Sequence, residues 1–361
     1  MVYEKMNLFE DRGASLIRYQ LDKSSEMPNV AVRPAVVIIP GGGYAYCSDR
    51  EAEPVAIAFL NMGFHTFVLH YSVGMHGLWP RPFEEGEKAL SIIRENAHAW
   101  NIDTNKIAVV GFSAGGHLAA SLGTMGRIRP NAMILGYPAM NPSIMQTGYL
   151  QERMNINGRE IIPYPHIAEY VDEKTSPAFV FLSGEDSIIR FSDMAEMLGK
   201  MEACGIPFEL HHFAYGGHGF SLSTDFTSSG AAQLYDPDYR GKWISLCLEW
   251  LKRTWGEFAH TNEINESGMR VIGTYQGEEY SLDDRIENLL ENEECVSILS
   301  EVFPDIKEFP ELDRSESLMY AIRFLRYGEI EDFRVLQKLE ERLNKVQKPI
   351  RRDGGKDEET V

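Results

Sequence analysis

The run Gly111-Phe112-Ser113-Ala114-Gly115 sets a serine between glycines two positions away on either side. Alone, such a pattern could be a glycine-rich turn with a solvent-facing serine. Here it follows the apolar run IAVV and opens the small-residue stretch AGGHLAASL. It therefore reads as a strand, a tight turn that lifts the serine out, and a helix. Only small neighbours let that turn close. The helix starting after Ser113 directs free N–H groups and partial positive charge at any negative charge that develops beside the serine oxygen. This is the setting for nucleophilic acyl transfer.

A second glycine run, Pro40-Gly41-Gly42-Gly43-Tyr44, follows the apolar segment Ala35–Ile39. It lacks the spacing of a dinucleotide loop and the Lys-Ser/Thr of a phosphate loop. What it offers is backbone N–H groups. Acyl transfer needs at least two such donors where the oxyanion forms, each worth roughly 3 kcal/mol in the transition state. Gly42, Gly43 and the N–H of Ala114 are the candidates.

A general base must take the serine proton, and histidine suits that task near neutral pH. Of ten histidines, His218 lies in YGGHGF, just after the strand-like FELHHF. The chain order Ser…acid…His places a base there. His117 lies one turn into the helix after Ser113 and reads as structural. His211 and His212 alternate faces of a strand, and His70, His76 and His98 have no comparable setting. The acid that orients the imidazole is expected in the loop SGEDSII, where Glu185 and Asp186 are adjacent rivals and Asp193 falls on the next helix.

Loops this far apart in sequence meet only if intervening elements bring their ends to one edge. Up to about Trp255 the chain alternates strand-like and helix-like runs. Ala35–Ile39, His65–Leu69, Lys106–Val110, Ala132–Leu135, Ala178–Leu182 and Phe208–His212 read as strands, most of them continuous apolar runs. Ala52–Met62, Phe83–Trp100 and Ala114–Leu122 read as helices. That pattern predicts an α/β fold with a mainly parallel sheet covered by helices on both faces, and such sheets collect their sites at the carboxyl edge. From Tyr137 to Thr175 the alternation breaks, in a stretch that reads as a lid, a binding loop or a plain surface excursion.

After about His260 the character changes, and residues 262–361 carry a net −11 of the chain's −19. A short hairpin around Gln276-Gly277 is expected within Met269–Tyr280. Helical patterns follow at Asp283–Leu290, Glu294–Val302, Ser315–Tyr327 and Asp332–Val346. The last carries Leu336, Leu339, Leu343 and Val346 at heptad-like spacing, suited to packing against the body or a partner subunit. The expected domains are a catalytic domain over 1–261, a small mainly helical one over 262–350, and a disordered tail over 351–361.

Hydrophobic residues make up 43% and charged residues 25%, an ordinary globular composition. The net charge of −19 argues against a nucleic-acid partner. No apolar run is long enough for a signal peptide or a membrane span, so a cytoplasmic location without membrane association is expected. The four cysteines, Cys47, Cys204, Cys247 and Cys295, are scattered without metal-ligand spacing and are expected to be reduced.

The runs PAVVIIPGGGYAYCSDREAEPVAIAFL, VLHYSVG, IAVVGFSAGGHLAASLG, FLSGEDSII and PFELHHFAYGGHG resemble the acetyl xylan esterase–type α/β-hydrolases over roughly Ala14 to Leu251. The resemblance implies the α/β-hydrolase fold, with Ser113 as nucleophile, His218 as base and Asp186 as acid. It also implies the glycine run as oxyanion hole, with Pro40 where many esterases carry histidine. Ile189 and Arg190 replace the Val and Pro usual after the acid, which alters loop shape rather than chemistry. YSLDDRIENLLENEECVSILSEVFP resembles a helical appendage of some gut-bacterial members and implies no activity.

A two-step acyl transfer follows, needing no metal or organic cofactor. The resemblance suggests acetyl esters of xylo- or related oligosaccharides. Tyr44, Tyr46, Trp79 and Phe220 are aromatics near the site loops that could stack on sugar rings. An amidase or peptidase on the same triad, such as a formamidase or prolyl-peptidase relative, is the alternative. A binding or scaffolding protein on a dead hydrolase fold is disfavoured, because such proteins usually lose the base or the nucleophile.

Overall fold

The computed structural model describes residues 1–24, 27, 30–140, 154–156, 158–258, 279–308, 314, 317–324, 330 and 332–348. Two compact units form, one of 1–22 with 30–260 and one of 23–29 with 261–361.

The first unit is built on an eight-stranded sheet. Its strands are β1 (Val2–Asn7), β2 (Ser15–Gln20), β3 (Arg33–Ile39), β4 (His65–His70), β5 (Ile102–Phe112), β6 (Ala132–Gly136), β9 (Ala178–Ser183) and β10 (Phe208–Phe213), in the spatial order β1-β2-β4-β3-β5-β6-β9-β10. A separate two-stranded sheet pairs β7 (Met154–Ile156) with β8 (Arg159–Ile161). β1 and β2 join antiparallel, and everything from β4 to β10 is parallel. The central strands are apolar at nearly every position because helices cover both faces, leaving no solvent side to demand alternation. β3 is buried from Pro34 to Ile39, and β6 and β9 are buried throughout.

The helices of this unit are α1 (Glu53–Asn61), α2 (Arg81–Glu95), α3 (Ala114–Met125), α4 (Phe191–Ala203) and α5 (Trp243–Trp255). α2 ends at Glu95, five residues before the expected Trp100. Its cap Asn96 turns both its side-chain and backbone N–H onto the Ile92 carbonyl, and Asn101 takes a positive φ of 56° as the chain reverses into β5. α3 is buried along nearly its whole length, which its glycines and alanines permit by letting backbones approach closely. Among the described residues no helix is long and apolar enough to cross a membrane. All four cysteines are free.

The second unit has its own core, made by α6 (Ile286–Glu291), α7 (Glu293–Ser300), α8 (Leu318–Phe324) and α9 (Phe333–Leu343). Asn292 caps α7 by accepting from the N–H groups of Glu294 and Cys295. The stripe Leu336, Leu339, Leu343 and Val346 is buried in this core and so is occupied within the unit itself. The hairpin expected around Gln276-Gly277 and the tail 351–361 lie outside the described residues, as does much of 141–157.

Candidate active site

Ser113 stands between β5 and α3 in a strained backbone conformation, φ 52° and ψ −118°. A non-glycine residue at positive φ costs of order 1–3 kcal/mol and persists only where its surroundings over-determine it. Here the Ser113 N–H donates to Gly136 O at 3.0 Å, and its carbonyl accepts from His117 at 3.1 Å and Ala139 at 2.9 Å. The small residues the turn needs are accounted for by contact. A Cβ on Gly115 would lie 2.1 Å from Ile39 O and 2.3 Å from Pro40 O, so the first turn of α3 rests on the end of β3.

The loops after β9 and β10 bring the other two residues to that edge. His218 Nε2 lies 2.9 Å from Ser113 Oγ, and Nδ1 lies 2.7 Å from Asp186 Oδ2. The second oxygen, Oδ1, accepts the N–H groups of Ile188 and Ile189, each at 2.8 Å. With its side chain fully buried, Asp186 has both oxygens engaged, Oδ1 twice and Oδ2 by the imidazole. Glu185, the rival acid, is exposed and takes the N–H of Gly216 at 2.7 Å, so it braces the histidine loop without reaching the imidazole.

The glycine run after β3 passes over the serine. The Gly41 N–H is taken by Glu51 Oε2 at 2.9 Å, whereas those of Gly42, Gly43 and Ala114 donate to no other group among the described residues. These are the three donors expected from the sequence; Ala114 follows Ser113 directly, and Gly42 and Gly43 follow Gly41, where a Cβ would lie 3.0 Å from Ser113 Cβ.

The aromatic expectations need correction. Tyr44, Trp79 and Phe220 are 3%, 1% and 0% exposed, so none has a face to offer a sugar ring. Tyr44 donates its hydroxyl to His117 Nδ1 at 2.9 Å and packs on Tyr164. Trp79 packs on Phe83, His117 and Tyr164. Phe220 joins Tyr137 and Phe181 in an aromatic layer that continues to Trp243. Proximity in sequence to a site loop put them near the site, but on its core side. Tyr46 alone is exposed, at 60%, and its ring lies against Gly42.

His117 is structural, as read. Its Nε2 faces the Pro165 carbonyl at 3.0 Å, which can only accept, so the proton resides on Nε2 and Nδ1 accepts from Tyr44. Burial holds its pKa down at about 4.

Two residues escaped sequence reasoning. Glu51 is 3% exposed and takes Tyr137 Oη–H at 2.6 Å as well as Gly41 N–H. Burial pushes its carboxyl above the usual carboxylate range, against the opposing pull of those two donors, Arg50 and His218. Tyr137 stands edge-on to the His218 ring, 5.0 Å between centroids, and burial holds its hydroxyl well above the ordinary range. The one signal for Glu51 was an acid eight residues beyond the glycine run, and an acid just before a helix ordinarily serves the helix dipole.

A relay of serine, histidine and buried carboxylate at the carboxyl edge of a parallel sheet defines a serine-hydrolase type of site. Family models match at residues 24–131, for BD-FAE, and 88–257, for the prolyl oligopeptidase family. An α/β-hydrolase enzyme from a Medee basin deep-sea metagenome library, MGS-M1, is 40% identical, with 70% of this chain and 98% of that one covered and a TM-score of 0.61. The acetyl ester-xyloside bifunctional hydrolase of Caldicellulosiruptor lactoaceticus is 27% identical over 70% of this chain and 97% of that one, at a TM-score of 0.57. The acetylxylan esterase of Xylanibacter ruminicola is 29% identical over 61% of this chain and 46% of its own length. The chain belongs to the α/β-hydrolase family. It spans less than half the length of the curated relatives it matches.

Proposed function

We propose that the chain is a serine carboxylesterase that removes O-acetyl groups from xylo- or related oligosaccharides. The observation carrying this reading is the hydrogen-bonded row Asp186–His218–Ser113 beside three unengaged N–H groups. Ser113 Oγ attacks the ester carbonyl as His218 Nε2 takes its proton, while Asp186 holds the Nδ1–H and stabilises the imidazolium. Gly42, Gly43 and Ala114 N–H groups receive the oxyanion. Collapse expels the alcohol, which takes the proton from Nε2. Water, activated by the same imidazole, then attacks the acyl-enzyme carbonyl and releases the acid. None of these steps draws on a metal or organic cofactor.

The sugar assignment draws on the likeness to the acetylxylan esterase and the acetyl ester-xyloside hydrolase, and on exposed Tyr46 beside Gly42 as a stacking surface. A cytoplasmic site of action on imported oligosaccharides accompanies it. The test is acetate release from acetylated xylo- and manno-oligosaccharides, beside p-nitrophenyl acetate, butyrate and octanoate, for wild type and Ser113→Ala. Fast release that vanishes in the variant supports the reading. Hydrolysis of the p-nitrophenyl esters alone would remove the carbohydrate assignment and turn the search to amides. No Ser113-dependent hydrolysis would remove the enzyme reading.

A further inference from the structure

Glu51 is a buried carboxyl beside the site that the acyl-transfer steps do not use. Glu51 closes the short 3-10 turn Asp49–Glu51, and its carboxylate spans two loops. Oε2 takes the N–H of Gly41 in the glycine run, and Oε1 takes the hydroxyl of Tyr137, just beyond β6. Tyr137 Oη in turn accepts the Ser221 N–H at 2.9 Å, on the loop that carries His218. The neighbouring Arg50 reaches the same loop, donating to Gly219 O at 2.9 Å and Thr227 O at 2.8 Å, while Ser221 Oγ donates to Arg50 O at 2.6 Å. This one turn therefore ties together the glycine run, the exit of β6 and the histidine loop.

Burying a carboxylate costs several kcal/mol unless donors and nearby cations offset it. A loop N–H needing only an acceptor could have been satisfied by any carbonyl. Here the acceptor sits where it governs the loop's height over the serine. A Cβ on Gly41 would fall 2.7 Å from Glu51 Oε2, 2.8 Å from Phe112 O and 3.0 Å from Ser113 Cβ, so Gly41 is wedged between carboxylate and nucleophile. The next two residues carry the N–H groups assigned to the oxyanion.

We propose that Glu51 is a positioning residue, whose buried carboxylate anchors the glycine run and thereby sets the distance of the Gly42 and Gly43 N–H groups from the reacting carbonyl. The inference rests on the acyl-transfer reading of the site. It locates the effect of Glu51 in the tetrahedral intermediate, hence in kcat, and not in substrate binding.

The experiment uses the full chain, with Glu51→Gln, Glu51→Ala and Tyr137→Phe beside wild type and Ser113→Ala. It reads kcat and KM for p-nitrophenyl acetate, the affinity for phenylboronic acid, whose tetrahedral adduct with serine occupies the oxyanion site, and thermal unfolding. A glutamine keeps an acceptor for Gly41 N–H; its NH2 can only donate to Tyr137 Oη, whose own O–H then loses its acceptor, but with the glycine run still anchored Glu51→Gln is expected within about fivefold of wild type in kcat. Glu51→Ala is expected to lose about 100-fold in kcat with KM within about threefold, and to lose boronate affinity in parallel. Should the alanine variant not fold, Tyr137→Phe, which frees Glu51 Oε1 and also takes the acceptor from Ser221 N–H, is expected to lower kcat about tenfold at unchanged KM. The proposal is overturned if folded Glu51→Ala keeps kcat within threefold, if its loss falls on KM, or if Glu51→Gln falls as far as alanine. An unchanged kcat in Tyr137→Phe also overturns it. Wild type without Ser113-dependent turnover would instead overturn the acyl-transfer reading, and an active wild type keeps the two failures apart.

Discussion

Replacing Asp186 by asparagine tests the row of hydrogen bonds at its most sensitive point. Asp186 Oδ1 is held by two backbone donors, Ile188 N–H and Ile189 N–H, and Oδ2 faces His218 Nδ1. An asparagine has one acceptor oxygen and one NH2 group. If its NH2 faced the loop, two backbone N–H groups would meet two further N–H groups in a fully buried place, leaving donors unsatisfied at about 1–3 kcal/mol each. The amide oxygen is therefore expected on the loop side, with the NH2 turned to His218. Nδ1 must then accept, which moves the imidazole proton to Nε2, where it faces Ser113 Oγ as a donor. The base is present in the wrong tautomer. Such a swap in a serine hydrolase lowers kcat by about 10⁴-fold, or about 5.4 kcal/mol of transition-state stabilisation. Folding and KM should change little, since shape and the two loop hydrogen bonds are kept. Stopped-flow release of p-nitrophenol measures the acylation step directly, and unfolding curves check the scaffold. Glu185→Gln is the control and is expected within a few fold of wild type, because among the described residues Glu185 holds only Gly216 N–H. Turnover of Asp186→Asn within tenfold of wild type, or a larger loss in Glu185→Gln, would refute the reasoning.

Other perturbations address the loop, the core and the pH response. Gly41→Ala drives a methyl toward Ser113 Cβ and Phe112 O, and it should lower kcat about 100-fold while the protein still folds; steady-state kinetics with circular dichroism checks this. Tyr44→Phe leaves His117 Nδ1 without its donor and should cost about 1–3 kcal/mol in urea unfolding, with no change in KM for acetylated xylo-oligosaccharides; a raised KM would restore Tyr44 as a sugar contact. His117 and His65 are held neutral by burial, each with a pKa lowered from 6.5 to about 4. The unfolded chain takes up these protons first, so the stability they contribute is fully present above pH 6.5 and is lost as pH falls toward 4, by about 1.4 kcal/mol per pH unit for each histidine. Urea midpoints between pH 7 and pH 5 should show that slope, and His117→Gln should flatten it by one histidine's share.

Much of the fold was legible in the residues because a parallel sheet buried on both faces leaves a blunt signature. Ala35–Ile39, Ile107–Val110 and Ala178–Leu182 are uninterrupted apolar runs, and each lies in an interior strand of the sheet. β1 was not legible, since VYEKMN lies at the sheet edge almost wholly exposed, where nothing demands an apolar face. α4 and α5 lacked boundaries for a similar reason: half of each faces solvent, and neither has a side-chain N-cap to mark its start.

Legible from the residues alone were the candidate chemistry-bearing positions whose types and local spacing are self-sufficient. A serine on a glycine-flanked turn, a histidine on a glycine-rich loop and a glycine run after a buried strand carry their meaning within a few residues of themselves. Which of Glu185 and Asp186 faces the imidazole was decided by how the loop folds back, with Ile188 and Ile189 N–H groups claiming one carboxylate and the exposed side claiming the other. Which aromatics meet solvent was decided by packing: Tyr44 and Tyr46 are two residues apart, yet one is bonded to His117 in the core and the other lies open above Gly42. Glu51 belongs wholly to the tertiary structure. Its partners are Gly41, ten residues away, and Tyr137, 86 away. A side chain whose role is to join distant loops has no local pattern to show, because burial and hydrogen bonding across the fold are set only once the loops have met.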